Sequence, residues 1–476
     1  MSQSAAPSHA FAESEPPEAV PAATAETPGE AAIEPDNVIE IAGVRDIDGD
    51  EKFIPVSQFA LVESLAAPHR WPDHDAAQVR LLFDYMTRWR NLYYSDKLDR
   101  LTENYLPFDP DADITGVDDL PDEHLAEHQA RLFEELRKLI EGANYDEITR
   151  EEVDQILTAN SPYGVAVHVE LSEFEDLMLY ARGATCEERW ERDWRWLFLR
   201  HRCYRVPIFQ RLFLALKFKS EEARAQDIMR REGISEKKAR KRVTKERANL
   251  PPHLCPHSIH IKVFKRIPQI DLEMLFPNTQ VRLKYIDKVK LWITGGSGGI
   301  IGLVTGVPKI LASTATVATN PIGLIMALGG LGAVFVRQVM NFFNTRNKYM
   351  MQLAQNLYFQ SLSNNRGALT LLIDRAEEED IKEDILLYSL LLKERVYRSE
   401  IDDAKQAIEQ FLKHEFGVSV GFDIMDALDR LSRDGLVREM PDGELRALPL
   451  ADALDYLRGR WSEALDRDLT RQGVAA

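Results

Sequence analysis

Apolar residues recur at helical spacing between Gln78 and Leu101, among them Val79, Leu82, Phe83, Tyr85, Met86 and Trp89, which predicts an amphipathic helix. Tyr105-Leu106-Pro107-Phe108-Asp109-Pro110 ends it. A second helix is expected to start at Leu120-Pro121-Asp122 and to run through Phe133, Leu136 and Leu139 towards Gly142. The middle of the chain changes period. Val165 to Leu171 alternates apolar and polar positions, Leu177 to Arg182 is a second strand candidate before Gly183, and β-like runs follow around Tyr204 to Leu216 and Ser258 to Phe264. These imply a small antiparallel sheet with helices packed on it.

The most conspicuous pattern comes later. No charged side chain occurs from Leu291 to Pro308 or from Ile310 to Val336, and Lys309 alone separates the two runs. A membrane-spanning helix needs about 20 apolar residues. Leu291 to Val307 and Pro321 to Met340 therefore read as a two-helix transmembrane hairpin, with Lys309 to Asn320 as its turn. Gly295, Gly298, Gly299, Gly302 and Gly306, then Gly323 and Gly329, form small-residue faces of the glycine-zipper kind that would let the two helices approach closely. Lys284, Lys288 and Lys290 before the hairpin, and Arg337, Arg346 and Lys348 after it, are candidates for lipid headgroup contact. Their bias to the outer ends places both termini on the cytoplasmic side.

A long helix is expected from about Asn344 through Leu392, interrupted near Asn364 to Gly367. A winged-helix-like order ends the chain: helix Ile401 to Phe416, helix Asp423 to Arg433, and a hairpin from Val437 to Leu448 turning at Pro441-Asp442-Gly443.

Charge changes the picture in two places. The formal net charge of −18 does not suit a general nucleic-acid binder. In the second winged-helix helix Asp423, Asp426, Asp429 and Asp434 outnumber Arg430 and Arg433, so nucleic acid is not an expected partner. The basic residues between Ser220 and Asn249 are interleaved with Glu221, Glu222, Glu232 and Glu236, which reads as a solvated helix face; contact with anionic lipid is the sharper alternative. Residues 1–50 carry Arg45 as their only Lys or Arg and read as a disordered acidic tail, without an apolar signal or a basic transit segment. Three scattered cysteines suit a reducing compartment.

Candidate chemistry is sparse. His253, Cys255, His257 and His260 are weak metal-ligand candidates, because their spacing matches no standard zinc site. Ile293 to Ile300 resembles a dinucleotide-binding turn, but no βα alternation and no acidic residue at the ribose position follow it. The carboxylates of Arg375 to Asp380 read as a solvated helix face. No cofactor, metal or catalytic residue is expected.

Several blocks carry a family resemblance: Phe53-Ile54-Pro55-Val56, Tyr105 to Pro110, Tyr180-Ala181-Arg182-Gly183, Val206-Pro207, Ile261 to Pro268 with Asp271-Leu272-Glu273 and Phe276-Pro277, Asn365-Arg366-Gly367, and Asp374 to Glu379. On these the chain resembles the transmembrane protein 143 family, domain of unknown function 3754. The resemblance implies two membrane helices, no established reaction, and motif positions of unknown role at Arg366, Gly367, Asp374 and Arg375.

The expected fold class is α+β and mostly helical, with a helical N-terminal part, a small antiparallel sheet, the two-helix transmembrane hairpin and a C-terminal winged-helix-like unit. The expected division is residues 1–50 tail, 51–160 helical, 161–290 α+β, 291–340 hairpin, 341–395 long helix, 396–465 winged-helix-like, and 466–476 tail. Function reads as a non-enzymatic interaction or membrane-organising protein in a bacterial inner membrane rather than a mitochondrial one. Its expected partners are membrane lipids, further copies of the chain through the hairpin, and an unidentified protein. An oligomeric pore or transport component built from the hairpins is the alternative.

Overall fold

The computed structural model describes residues 38–40, 51–71, 76–112, 121–158, 166–192, 201–248, 257–278, 280–282 and 357–471, with Arg337, Met340, Asn344, Asn347 and Met351 as single positions. The chain divides into two compact units, Met1–Glu40 with Arg189–Arg205, and Ile41–Glu188 with Val206–Ala476. In the first, strand β1 (Val38–Glu40) runs parallel to Cys203–Arg205.

The second unit begins with helices α1 (Gln58–Leu65), α2 (Ala76–Tyr105) and α3 (Asp122–Gly142). Strand β2 (Asp146–Glu147), helix α4 (Arg150–Thr158) and strand β3 (Ala166–His168) follow. Two long strands come next, β4 (Phe174–Arg192) and β5 (His201–Phe218), then helices α5 (Glu221–Glu232) and α6 (Glu236–Arg247). Strand β6 (Ile259–Pro268) leads through a 3-10 stretch, Gln269–Leu275, to β7 (Gln280–Arg282). The main sheet has the order β2-β4-β5-β6-β8, where β8 is Ser361–Asn364, and β3 pairs with β7 apart from it.

Strand β5 is apolar from Leu212 to Leu216 because both its faces are covered there. Phe213 and Ala215 join Ile259, Ile261 and Val263 of β6 in a core with Leu101, Leu136 and Leu139 of α2 and α3. Leu212, Leu214 and Leu216, one residue out of phase, face the opposite core with Val153 and Ile156 of α4 and Leu272 and Leu275. Helices α5 and α6 fold back on each other at Gly233, whose φ of 65° is the left-handed helix stop that glycine adopts without strain. Many of their basic side chains are paired: Arg242 with Glu232 and Glu246, Arg240 with Glu236, and Arg224 with Glu173 and Glu246.

Helix α7 (Asn365–Lys393) runs from the sheet to the C-terminal stretch and packs against α1, α2, α3 and β6. Its start is set by Asn365, which holds a φ of 47° while its side chain accepts from the Ile261 amide at 3.2 Å and donates to Asp111 at 2.5 Å. Strand β9 (Val396–Tyr397), helices α8 (Ile401–Phe416) and α9 (Ile424–Arg433), hairpin strands β10 (Val437–Glu439) and β11 (Glu444–Ala447), and helix α10 (Leu450–Arg471) complete the chain. Asp423 caps α9 by accepting from the Asp426 amide at 3.2 Å. Gly443, with a φ of 83°, turns the hairpin.

The fold is mostly helical with a small antiparallel sheet, and the transmembrane hairpin expected over Leu291–Met340 is corrected. Among the described residues no helix is long and apolar enough to cross a membrane. The long described helices are the wrong kind: α2 carries Arg80, Asp84, Arg88 and Arg90, and α7 is charged through its middle. The transmembrane expectation therefore has no structural element among the described residues to rest on. Residues 283–336 lie outside the described residues.

Candidate functional site

Two charged sites flank helix α7. Positions three and four apart share a helix face, so Asp380, Glu383 and Asp384 point one way while Arg375, Glu378, Glu379 and Lys382 point another. The acidic run was expected to be solvated. Instead Glu379, Asp380, Lys382, Glu383 and Asp384 are all buried, because α2 and α9 cover one side and the Phe53–Ser57 segment covers the other.

On the first side two arginines from distant parts of the chain meet the carboxylates. Arg430 of α9 donates from Nε to Asp384 at 3.0 Å and from Nη2 to Glu383 at 2.6 Å, lies 3.2 Å from Asp380, and pairs with Asp426. Arg90 of α2 donates to Asp384 at 2.6 Å and to Asp434 at 2.8 Å. The Tyr94 hydroxyl donates to Asp380 at 2.8 Å. Five carboxyl groups thus surround two guanidiniums. Burial pushes Glu383 up to about 8 despite Arg430 beside it, and pushes Asp380 up to about 6 with Asp384 adding to the effect and Arg430 opposing it. The contact to Arg430 and the upward shift pull in opposite directions at Glu383. The excess of acid over base in the cluster favours the shift. Asp380, Glu383 and Asp426 bring oxygen atoms within 4.8 Å of one another, a spacing a metal could use. The Arg430 guanidinium already contacts all three, so a cation fills that position.

The second side is a cavity of about 290 Å³ lined by Phe53, Ile54, Pro55, Val56, Ser57, Tyr145, Arg182, Gln210, Arg211, Arg375, Glu378 and Lys382. Four of these are cationic, and they arrive from β4, β5 and α7. Arg182 is 9% exposed and stacks on Phe53 at 4.3 Å and on Tyr145 at 5.5 Å. Its Nη1 donates to the Ala143 carbonyl at 3.0 Å, and its buried Nε has no hydrogen-bond partner among the described residues. Among the described ion pairs neither Arg182 nor Arg211 has a carboxylate partner. Burial lowers the Arg211 pKa; Tyr145 opposes that, and repulsion from Arg375 and Arg182 adds to it. The lone lining carboxylate, Glu378, lies 2.7 Å from Arg375 and 3.3 Å from Lys382. The wall is held by α7 itself: the Ile54 amide donates to Glu379, and Lys382 donates to the Ile54 carbonyl at 3.0 Å. Gly183, at a φ of 71°, lets Gln210 lie against the chain just after Arg182, where a Cβ would approach its Cδ to 2.9 Å.

Of the positions singled out from the sequence, Arg375 lies in this cavity, while Arg366, Gly367 and Asp374 are exposed on α7. Gly367 is small for a local reason, since a Cβ there would meet the Ser363 hydroxyl at 2.7 Å. His257 is exposed before β6 and lines a separate cavity with Gln129, Glu175 and Lys217, and His260 lies within β6. His253 and Cys255 lie outside the described residues, as do Gly295, Gly298, Gly299, Gly302, Gly306, Gly323, Gly329, Lys284, Lys288, Lys290, Arg346 and Lys348; Arg337 is helical and exposed. Arg182, Arg211 and Lys382 were not foreseen as a group. Three blocks that carry the resemblance, Phe53–Val56, Tyr180–Gly183 and Asp374–Glu379, do meet here.

A family model described as "Protein of unknown function (DUF3754)" matches residues 174–367. The match supports the domain of unknown function and does not confirm the transmembrane protein 143 name. It begins at the first residue of β4 and takes in Arg182 and Arg211, while Arg375 and Lys382 lie beyond its end. No solved structure matches the chain.

Proposed function

We propose that this chain is a non-enzymatic binding protein that takes a small anionic ligand in the cavity between the Phe53–Ser57 segment and helix α7. The observation that carries the reading is the convergence of Arg182, Arg211, Arg375 and Lys382 on one cavity with Glu378 as the only lining carboxylate among the described residues. Like charges gathered on one partly buried wall repel, and an anion between them relieves that cost. The guanidinium fork suits carboxylate and phosphate oxygens.

The lining set offers little for catalysis. It contains no histidine or cysteine, Ser57 caps α1 by accepting from the Ala60 amide, and Glu378 is held by two cations. No nucleophile–base pair is thereby assembled. Nucleic acid is a poorer fit to the C-terminal stretch, because the helix that would enter a groove, α9, buries Arg430 and exposes Asp426 and Asp429 beside Arg433.

The reading is tested on the purified full chain by thermal unfolding with multivalent oxyanions against chloride at matched ionic strength. A saturable rise in Tm is expected, since a ligand at 100 times its Kd adds about 2.7 kcal/mol to stability. Arg211→Gln, a substitution at a part-exposed position, should remove most of that rise. If no oxyanion stabilises the chain beyond chloride, the binding reading fails.

A further inference from the structure

We infer that the ligand of this cavity is a compact organic phosphomonoester, its dianion seated among Arg182, Arg211, Arg375 and Lys382 and its organic part against Phe53 to Val56. The inference rests on the anion-binding reading and narrows it by charge, geometry and size.

Charge comes first. Of the four lining cations, Arg375 and Lys382 share Glu378, and Lys382 also lies 3.4 Å from the buried Glu379, which leaves Arg182 and Arg211 as the two without an ion pair among the described residues. A monocarboxylate or a phosphodiester, each with a single negative charge, would match only one of these two arginines. A phosphomonoester carries about −1.5 to −2 at neutral pH.

Geometry points the same way. The cations come from three separate elements: Arg182 at β4, Arg211 at β5, and Arg375 with Lys382 about two turns apart on one face of α7. A planar carboxylate presents two oxygens in one plane, whereas a phosphomonoester presents three terminal oxygens in a tripod. Ser57, the N-cap of the eight-residue helix α1, also stands on the wall, so the positive end of that helix adds to the field. Tyr145 contributes a neutral phenol, since burial raises its pKa more than the three arginines lower it.

Size excludes the extremes. At about 290 Å³ the cavity is at the lower end of the range for small-molecule sites, roughly 300–1,000 Å³. The apolar side chains of Phe53, Ile54 and Val56 give an organic group a surface to bury, which inorganic phosphate lacks.

Isothermal calorimetry on the full chain decides the matter, with phenyl phosphate as the probe and inorganic phosphate, dimethyl phosphate, sulfate and succinate as comparators. Phenyl phosphate is expected to bind at least tenfold tighter than each comparator. Arg211→Gln and Arg375→Gln should each weaken it about tenfold with far-UV circular dichroism unchanged, while Lys405→Gln, on a different cavity, should leave it alone. Equal binding of succinate or sulfate would overturn the phosphate assignment and keep the anion site. Equal binding of inorganic phosphate would overturn the organic half. Failure of every anion would remove both this inference and the reading it rests on.

Discussion

At Glu383 burial and pairing oppose one another, and the outcome sets how the cluster answers to pH. The side chain is 5% exposed and accepts from Arg430 at 2.6 Å, yet burial carries its pKa from 4.5 up to about 8. Asp380 behaves alike, rising from 3.8 to about 6. Above about pH 4 the unfolded chain releases these protons while the folded chain keeps them, so the folded state binds more protons. Stability from this cluster is therefore full below pH 4 and is lost as pH rises through 6 and then 8. Glu383→Gln keeps an acceptor for Arg430 and cannot ionise. In urea titrations at pH 5 and pH 9 the variant should gain on the wild type by roughly 4 kcal/mol as pH rises, about 1.4 kcal/mol for each unit between pH 5 and the folded pKa. A gap moving the other way would mean an ionised, net stabilising Glu383. None of this could be read from the run Asp374 to Asp384, because Arg90 and Arg430 lie 294 and 46 residues from Asp384. A charged run looks the same whether water or a distant arginine covers it.

At the scale of elements the hydrophobic pattern located much and oriented less. The strand candidates at Leu177 to Arg182 and Tyr204 to Leu216 lie within β4 and β5, and Ser258 to Phe264 overlaps β6 from Ile259 on, because apolar alternation and long apolar runs survive burial on both faces. Strand β4 runs on to Arg192, past Gly183, where local signals suggested a stop. Val165 to Leu171 yields only the short strand β3, which pairs with β7 outside the main sheet. The interruption expected near Asn364 to Gly367 takes the form of β8, which ends at Asn364 and adds to the β6 edge through Lys262 and Val263. What the pattern could not give is the pairing of α7 with Phe53 to Ser57, which makes the cavity. Glu379, 1% exposed, accepts from the Ile54 amide across 325 residues. Removing that acceptor orphans a buried N–H at a cost of about 1–3 kcal/mol. In Glu379→Ala the Ile54 amide should lose its protection from hydrogen exchange while β5 amides keep theirs, and Glu379→Gln should restore it. Unchanged protection in the alanine variant would mean that packing of Phe53, Ile54 and Val56 alone holds the segment.

For the molecule as a whole the question is whether the C-terminal stretch is a separate module, as its helix–helix–hairpin order suggests. Its core is not its own. A single cluster joins Leu61, Leu65, Leu82 and Phe83 of α1 and α2 to Ile385, Leu386 and Leu387 of α7 and to Ile408, Leu412, Leu428, Leu431 and Leu454 beyond it. The ion network ties the same three parts, since Arg90 and Arg430 meet at Asp384. Local periodicity could identify the helices of this stretch but not that α9 would spend its apolar face and Arg430 on α7. Apolar burial at roughly 25 cal/mol per Å² makes such a shared core costly to split. The C-terminal stretch should therefore open only in the global transition. Under rising urea, hydrogen-exchange free energies at the Leu82, Leu386 and Leu431 amides should merge onto one line well before the unfolding midpoint. Exchange at Leu431 through a separate opening, at urea concentrations where Leu82 stays protected, would make the stretch an independent unit resting on the body. In that case the Arg430 contacts would be a dock between modules, and the surface of α9 would become available for a partner.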